Sequence, residues 1–220
     1  MRARTIGGVA AASLCVLLAT PTASPAADTP QNSSLAMALK QGMRKLWTDH
    51  VVWTREYIIA AVGDQPDAQA AAARLMKNQD DIGQAVAIVY GAPAGEQLTS
   101  LLKDHITIAV ELINAAKAGN KAAQQQADTK WHQNATQIAD FLRKAHPNWP
   151  RATLVDMMNK HLSTTTDEVV ARLTKNWEAD VRAFDAVYDH ILQMADALSD
   201  GIIKQSPEKF SGTAGTTGVR

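Results

Sequence analysis

The stretch KDHITIAVELINAAKAGN, Lys103–Asn120, occurs in altered form at two other places in the chain. TDHVVWTREYIIAAVGD (Thr48–Asp64) precedes it and NKHLSTTTDEVVARLTKN (Asn159–Asn176) follows it, which sets His50, His105 and His161 at intervals of 55 and 56 residues. The likeness continues through Glu56, Glu111 and Asp167, then Ala60, Ala115 and Ala171, and finally Asp64, Asn120 and Asn176. Apolar residues recur at three and four within each unit, the period of a helix. The closing trio are residue types that cap the start of a following helix. Each unit therefore reads as a helix, a tight turn and a returning helix. The expected fold class is all-α, an antiparallel helical bundle built from three hairpin repeats of about 56 residues.

Six long helices are expected, near residues 35–62, 65–90, 94–118, 120–145, 150–174 and 176–204. Between hairpins stand YGAPAG (90–95) and HPNWP (146–150), where Gly and Pro interrupt helical backbone. Outside this block, residues 1–27 read as an export signal. Arg2 and Arg4 precede an apolar run, Ile6–Thr20, and a small-residue cleavage site lies near Ser24-Pro25-Ala26. Residues 28–34 read as a linker, 35–205 as the bundle domain, and 206–220, rich in Gly and Thr, as a disordered tail.

Cleavage would remove Cys15, the one cysteine, so disulfides and thiolate metal sites are not expected. It would also leave 20 basic against 22 acidic residues, with no basic stripe to attract nucleic acid. After the signal no segment stays uncharged for the roughly 20 residues that a membrane span needs. The expected location is periplasmic or extracellular.

The first helix carries Leu39, Met43, Leu46, His50, Trp53, Tyr57 and Ala60 in a four-three rhythm, so His50 lies in the packing seam. His105 and His161 take the same phase, and the returning helices place Asn78, Asn134 and His190 in theirs. The midpoints of the pairs 50 and 78, 105 and 134, and 161 and 190 all fall at the expected turns. Each histidine should then meet its partner at one height, forming a layer of His50, Asn78, His105, Asn134, His161 and His190.

Two roles suit such a layer. The first is structural: paired His and Asn groups fix helix register, leaving a surface for a protein partner. The second is a site for a small ligand or a transition metal such as zinc, copper or iron, with His50, His105, His161 and His190 as candidate metal ligands. Glu-x-x-His pairs of the di-iron type are missing. Glu56, Glu111 and Asp167 are expected in edge salt bridges, Asp49 and Asp104 in water, and His132 and His146 on the surface. Met157, Met158, Met194, Trp53, Tyr57 and Trp131 are expected to fill the core. No phosphate loop, nucleophile elbow, HExxH or EF-hand pattern is present, so a binding or structural role is expected ahead of an enzymatic one.

The segments DHVVWTR (49–55), LLKDHITIAVELINAAKAGN (101–120), WHQNATQIADFL (131–142), HPNWP (146–150) and MADALSDGIIKQSPEKF (194–210) together resemble a family of small, often exported bacterial helical proteins with no established activity. The resemblance covers nearly all of the chain after the signal. It implies an all-helical fold and assigns no site residues.

Overall fold

A computed structural model describes residues 33–146 and 149–211. Among these residues all regular structure is helical: α1 (Ser34–Val62), α2 (Ala68–Tyr90), α3 (Ala92–Lys117), α4 (Lys121–Ala145), α5 (Arg151–Leu173), α6 (Trp177–Gln205) and a single turn, α7 (Pro207–Phe210). The six long helices start and end within three residues of the sequence-based bounds. The signal segment 1–27 lies outside the described residues, as do most of the linker and of the tail.

Three turns share one construction. Asp64, Gly119 and Lys175 adopt positive φ of 53°, 67° and 56°. The amides that follow them, of Gln65, Asn120 and Asn176, donate back to the carbonyls of Ala60, Ala115 and Ala171 at 2.9–3.0 Å. These are Schellman-type C-caps, in which a left-handed residue lets the chain turn while satisfying helix-end carbonyls. The repeated alanines mark this point. Asn120 and Asn176 then cap α4 and α6, each accepting from the amide three residues on at 3.1 Å.

Asp64 does not cap α2, contrary to the sequence reading. It is equivalent to Gly119 and Lys175, one residue before the asparagines, and Gln65-Pro66-Asp67 delays the helix to Ala68. Its carboxylate instead accepts from Lys117 Nζ at 2.5 Å, and the same ammonium reaches Ala61 O at 2.6 Å. That cation therefore ties the end of α3 to the end of α1.

Each long helix packs on the next in the chain, and α6 returns against α1, so the six form a closed ring. The loosest of these contacts is α4 on α5. At the tightest, α2 on α3, glycines allow close backbone approach. A methyl group on Gly95 would lie 2.5 Å from Gly83 O and 2.7 Å from Ala87 Cβ, leaving no space for a side chain. One apolar core, running from Met43 and Trp47 through Ile82, Leu102 and Ile138 to Leu198, draws on all six helices. No described helix is long and apolar enough to cross a membrane.

Two sequence-based placements need correction. His146 is buried, not on the surface. Its Nε2 lies 2.8 Å from Gly201 O, and its ring stacks on Trp149 at 4.3 Å between centroids. Trp53 is only half-buried, with the Arg74 guanidinium 5.3 Å from its ring centroid. The tryptophan of α1 in the core is Trp47, because a helix of 3.6 residues per turn brings residues 47 and 51 inward beside 50.

Candidate functional site

At mid-height of the ring, α1, α3 and α5 each present an imidazole to the interior. His50, His105 and His161 are all buried. The His161 ring centroid lies 5.6 Å from that of His50 and 6.1 Å from that of His105. Their positions are held by the returning helices through one recurring bond. Asn78 Nδ2 donates to Leu46 O, Asn134 Nδ2 to Leu101 O, and His190 Nε2 to Met157 O, all at 3.0 Å. In every case the acceptor is the carbonyl four residues before the histidine of the facing helix. These bonds relieve buried amide and imidazole groups that would otherwise cost about 1–3 kcal/mol each.

The same bonds fix the protons of the layer. Since Asn134 uses its amino group on Leu101, its Oδ1 accepts from His105 Nδ1 at 2.7 Å. His105 Nε2 is therefore a bare lone pair, and it is buried without a partner among the described residues. Gln79 Nε2 donates to Leu75 O at 2.8 Å, leaving its second proton between His50 Nδ1 and Asn78 Oδ1, each 3.3 Å away. Gln79, fully buried, was not anticipated from sequence, since Asn78 beside it already satisfied the seam rhythm. His161 differs from both. No side-chain hydrogen bond to it is found among the described residues, and its Nδ1 is buried and unpartnered.

Burial keeps these rings neutral. It pushes His50 down to about 3, helped by repulsion from His105, and His105 down to about 4. It holds His161 well below the ordinary imidazole range, with repulsion from His50, His105 and His190 adding to the effect. At neutral pH the layer offers lone pairs and N–H groups and no charge.

The layer divides the interior. On the side of the 90–95 and 146–150 connections the space is narrow and apolar, about 40 Å³, bounded by Trp47, Met158 and Met194. Toward the turns at 63–67, 118–120 and 174–176 lies a cavity of about 570 Å³. His50, His105, His161 and Trp131 line it together with apolar side chains such as Ile106, Ala109, Ile113, Val169 and Leu173. Lys121, Gln124 and Asp128 of α4 contribute polar groups. Trp131 is buried, its ring centroid 5.2 Å from that of His105, and its Nε1 has no partner among the described residues.

The four candidate metal ligands do not form one set. His190 is half-buried, its Nε2 engages a carbonyl, and its ring stands 6.3 Å from His161. Among the described residues no group of three or more His, Cys, Asp or Glu is arranged to hold a metal ion. Of the edge acids, Glu111 lies 3.5 Å from Lys130, while Glu56 and Asp167 are exposed. Asp49 pairs with Lys45 at 2.6 Å and Arg74 at 3.5 Å.

A second buried polar group went unseen in the sequence. Arg55 reaches Glu168 at 2.6 Å and Asp180 at 3.1 Å, and Arg172 also reaches Asp180 at 3.1 Å. Its members come from α1, α5 and α6 and lack a shared spacing, so periodicity alone does not reveal it.

Comparison with protein families, with the curated proteins and with the solved structures finds no match to this chain.

Proposed function

We propose that the chain is an exported binding protein, built as three copies of one helical hairpin, that takes a small and mostly apolar molecule into the cavity beneath its histidine layer. The reading rests on one observation: a cavity of about 570 Å³, walled largely by aliphatic side chains such as Ile106, Ala109, Ile113, Val169 and Leu173, runs up to the buried residues His50, His105, His161 and Trp131. Its volume lies within the usual range of small-molecule sites, about 300–1,000 Å³. The Asn and His190 bonds to facing carbonyls set helix register, so the structural role and the binding role use different atoms of one layer.

Repetition of the hairpin is supported by the three matching turns and the three matching carbonyl bonds. Export is tested by expression of the full chain in a bacterium and mass measurement of the released protein. The expected mature chain starts near Ala27 or Asp28, and recovery of the uncut chain from the cytoplasm overturns this part.

Binding is tested with 1-decanol as the probe. Saturation at about a hundred times Kd should stabilise the fold by roughly 2.7 kcal/mol, seen as a rise in Tm. Ala109 lines the cavity, and Ala109→Phe, which projects a ring into it, should keep the fold and reduce that rise. An unchanged Tm for the natural chain, or an equal rise in the Ala109→Phe variant, overturns the reading.

A further inference from the structure

Five of the residues around the cavity of about 570 Å³ are exposed: Lys121 and Gln125 of α4, and Thr166, Val170 and Thr174 of α5. Residues four apart share one edge of a helix, so each helix supplies one edge of a slit. The two helices run antiparallel. Lys121 with Thr174, and Gln125 with Val170, stand at nearly equal distances from the connection at 146–150. The edges therefore lie at one height beside the cavity. Among the described residues, the side-chain hydrogen bonds that join α4 to α5 are those of Arg151 to Asp140, beside the connection and far from the slit.

The repeat proposed above supplies a comparison. Offsets of 111 residues from His50 to His161 and 56 from Asn134 to His190 make Thr166 the counterpart of Arg55, Gln124 of Asp180 and Asp128 of Phe184. Where α6 meets α1, Arg55 bonds Asp180 at 3.1 Å and covers the Phe184 ring at 4.6 Å, clamping the two helices. Where α2 meets α3, glycines bring the backbones together. At the third junction between hairpins stand Gln124, Asp128 and Thr166, and all three line the cavity. We infer that this unclamped α4–α5 junction is the entrance through which the occupant reaches and leaves the cavity, an inference that rests on the binding role proposed above.

The experiment follows entry into the folded full chain by stopped-flow quenching of tryptophan fluorescence with 10-bromo-1-decanol, since Trp131 lines the cavity. The test variant transplants the clamp as Thr166→Arg, Gln124→Asp and Asp128→Phe together. Association and release should both slow at least about tenfold, with Kd changed less than about threefold, because a gate alters rates and not the site behind it. Thr166→Arg alone, at an exposed helical position, should slow both rates about two- to fivefold by pairing with Asp128 across the slit, the worth of an exposed ion pair.

Unchanged association in the folded variants, or a loss of affinity carried by faster release alone, overturns the entrance while the cavity stands. If the transplant does not fold, Thr166→Arg decides by itself. If 10-bromo-1-decanol quenches no tryptophan of the natural chain at equilibrium, the binding role falls and the entrance with it.

Discussion

Replacing Arg55 by Met is expected to cost about 3–5 kcal/mol of stability, the usual penalty for removing one partner of a buried ion pair, read as the midpoint of urea unfolding. Glu168 and Asp180 are 1% and 2% exposed, so neither can turn to water when the guanidinium is lost. Asp180 keeps Arg172 at 3.1 Å, whereas Glu168 keeps nothing, since its Oε2 already lacks a partner. Even with Arg55 in place, burial pushes the Glu168 carboxyl up to about 7 against the pull of the cation. Without Arg55 that carboxyl would stay protonated at neutral pH, so the loss should be smaller at pH 6 than at pH 8. Adding Glu168→Gln removes the charge and should recover about 1–3 kcal/mol, the coupling typical of residues in one network. Equal losses at both pH values, with no recovery in the double variant, would show that Arg55 acts through packing and not through its charge.

The contrast between this cluster and the histidine layer shows what the sequence could carry. His50, His105 and His161 stood out because they recur at intervals of 55 and 56 residues, and Asn134 followed from its distance to the turn. Those arguments use spacing along one helix or across one turn. The Arg55 group joins residues more than a hundred positions apart, on α1, α5 and α6, and each of its members looks like an ordinary surface charge in its own segment. Ring closure of α6 onto α1 creates the site, and nothing local announces closure. His146 was misplaced for a similar reason: its environment is Gly201, on α6, whose missing side chain admits Trp149. Asp64 was misread by one position because a cap and the left-handed residue before it favour overlapping residue types. Among the described residues the four candidate metal ligands are not gathered into one set. Phase places an imidazole in a layer, but the direction of its nitrogens depends on the amides and carbonyls around it, and His190 spends its Nε2 on Met157 O.

Lowering the pH from 6.5 to 4.5 is expected to remove on the order of 5 kcal/mol of stability, comparable with the whole stability of a marginal domain. In the folded chain His50 and His105 are depressed to about 3 and 4, and His161 well below its usual range, chiefly by burial. Unfolding returns them to about 6.5, so between these pH values the unfolded chain takes up three protons that the native layer refuses. Glu168 opposes them. Raised to about 7, it is protonated in the native state across this range and ionised on unfolding until the pH approaches about 4.5. The net uptake is therefore about two protons, which at 1.36 kcal/mol per proton and pH unit gives a slope near ~2.7 kcal/mol per unit. The signs are consistent: depressed bases stabilise above the unfolded value and lose that contribution as acid is added, while a raised acid does the reverse. Urea titrations at half-unit steps measure the slope directly. His161→Leu should reduce it by one proton, because that ring has no bond to lose and a leucine fits a buried apolar position. A flat profile would mean that the layer accepts protons while folded, by opening to water through the cavity. That outcome would contradict the neutral imidazoles that burial imposes on the layer.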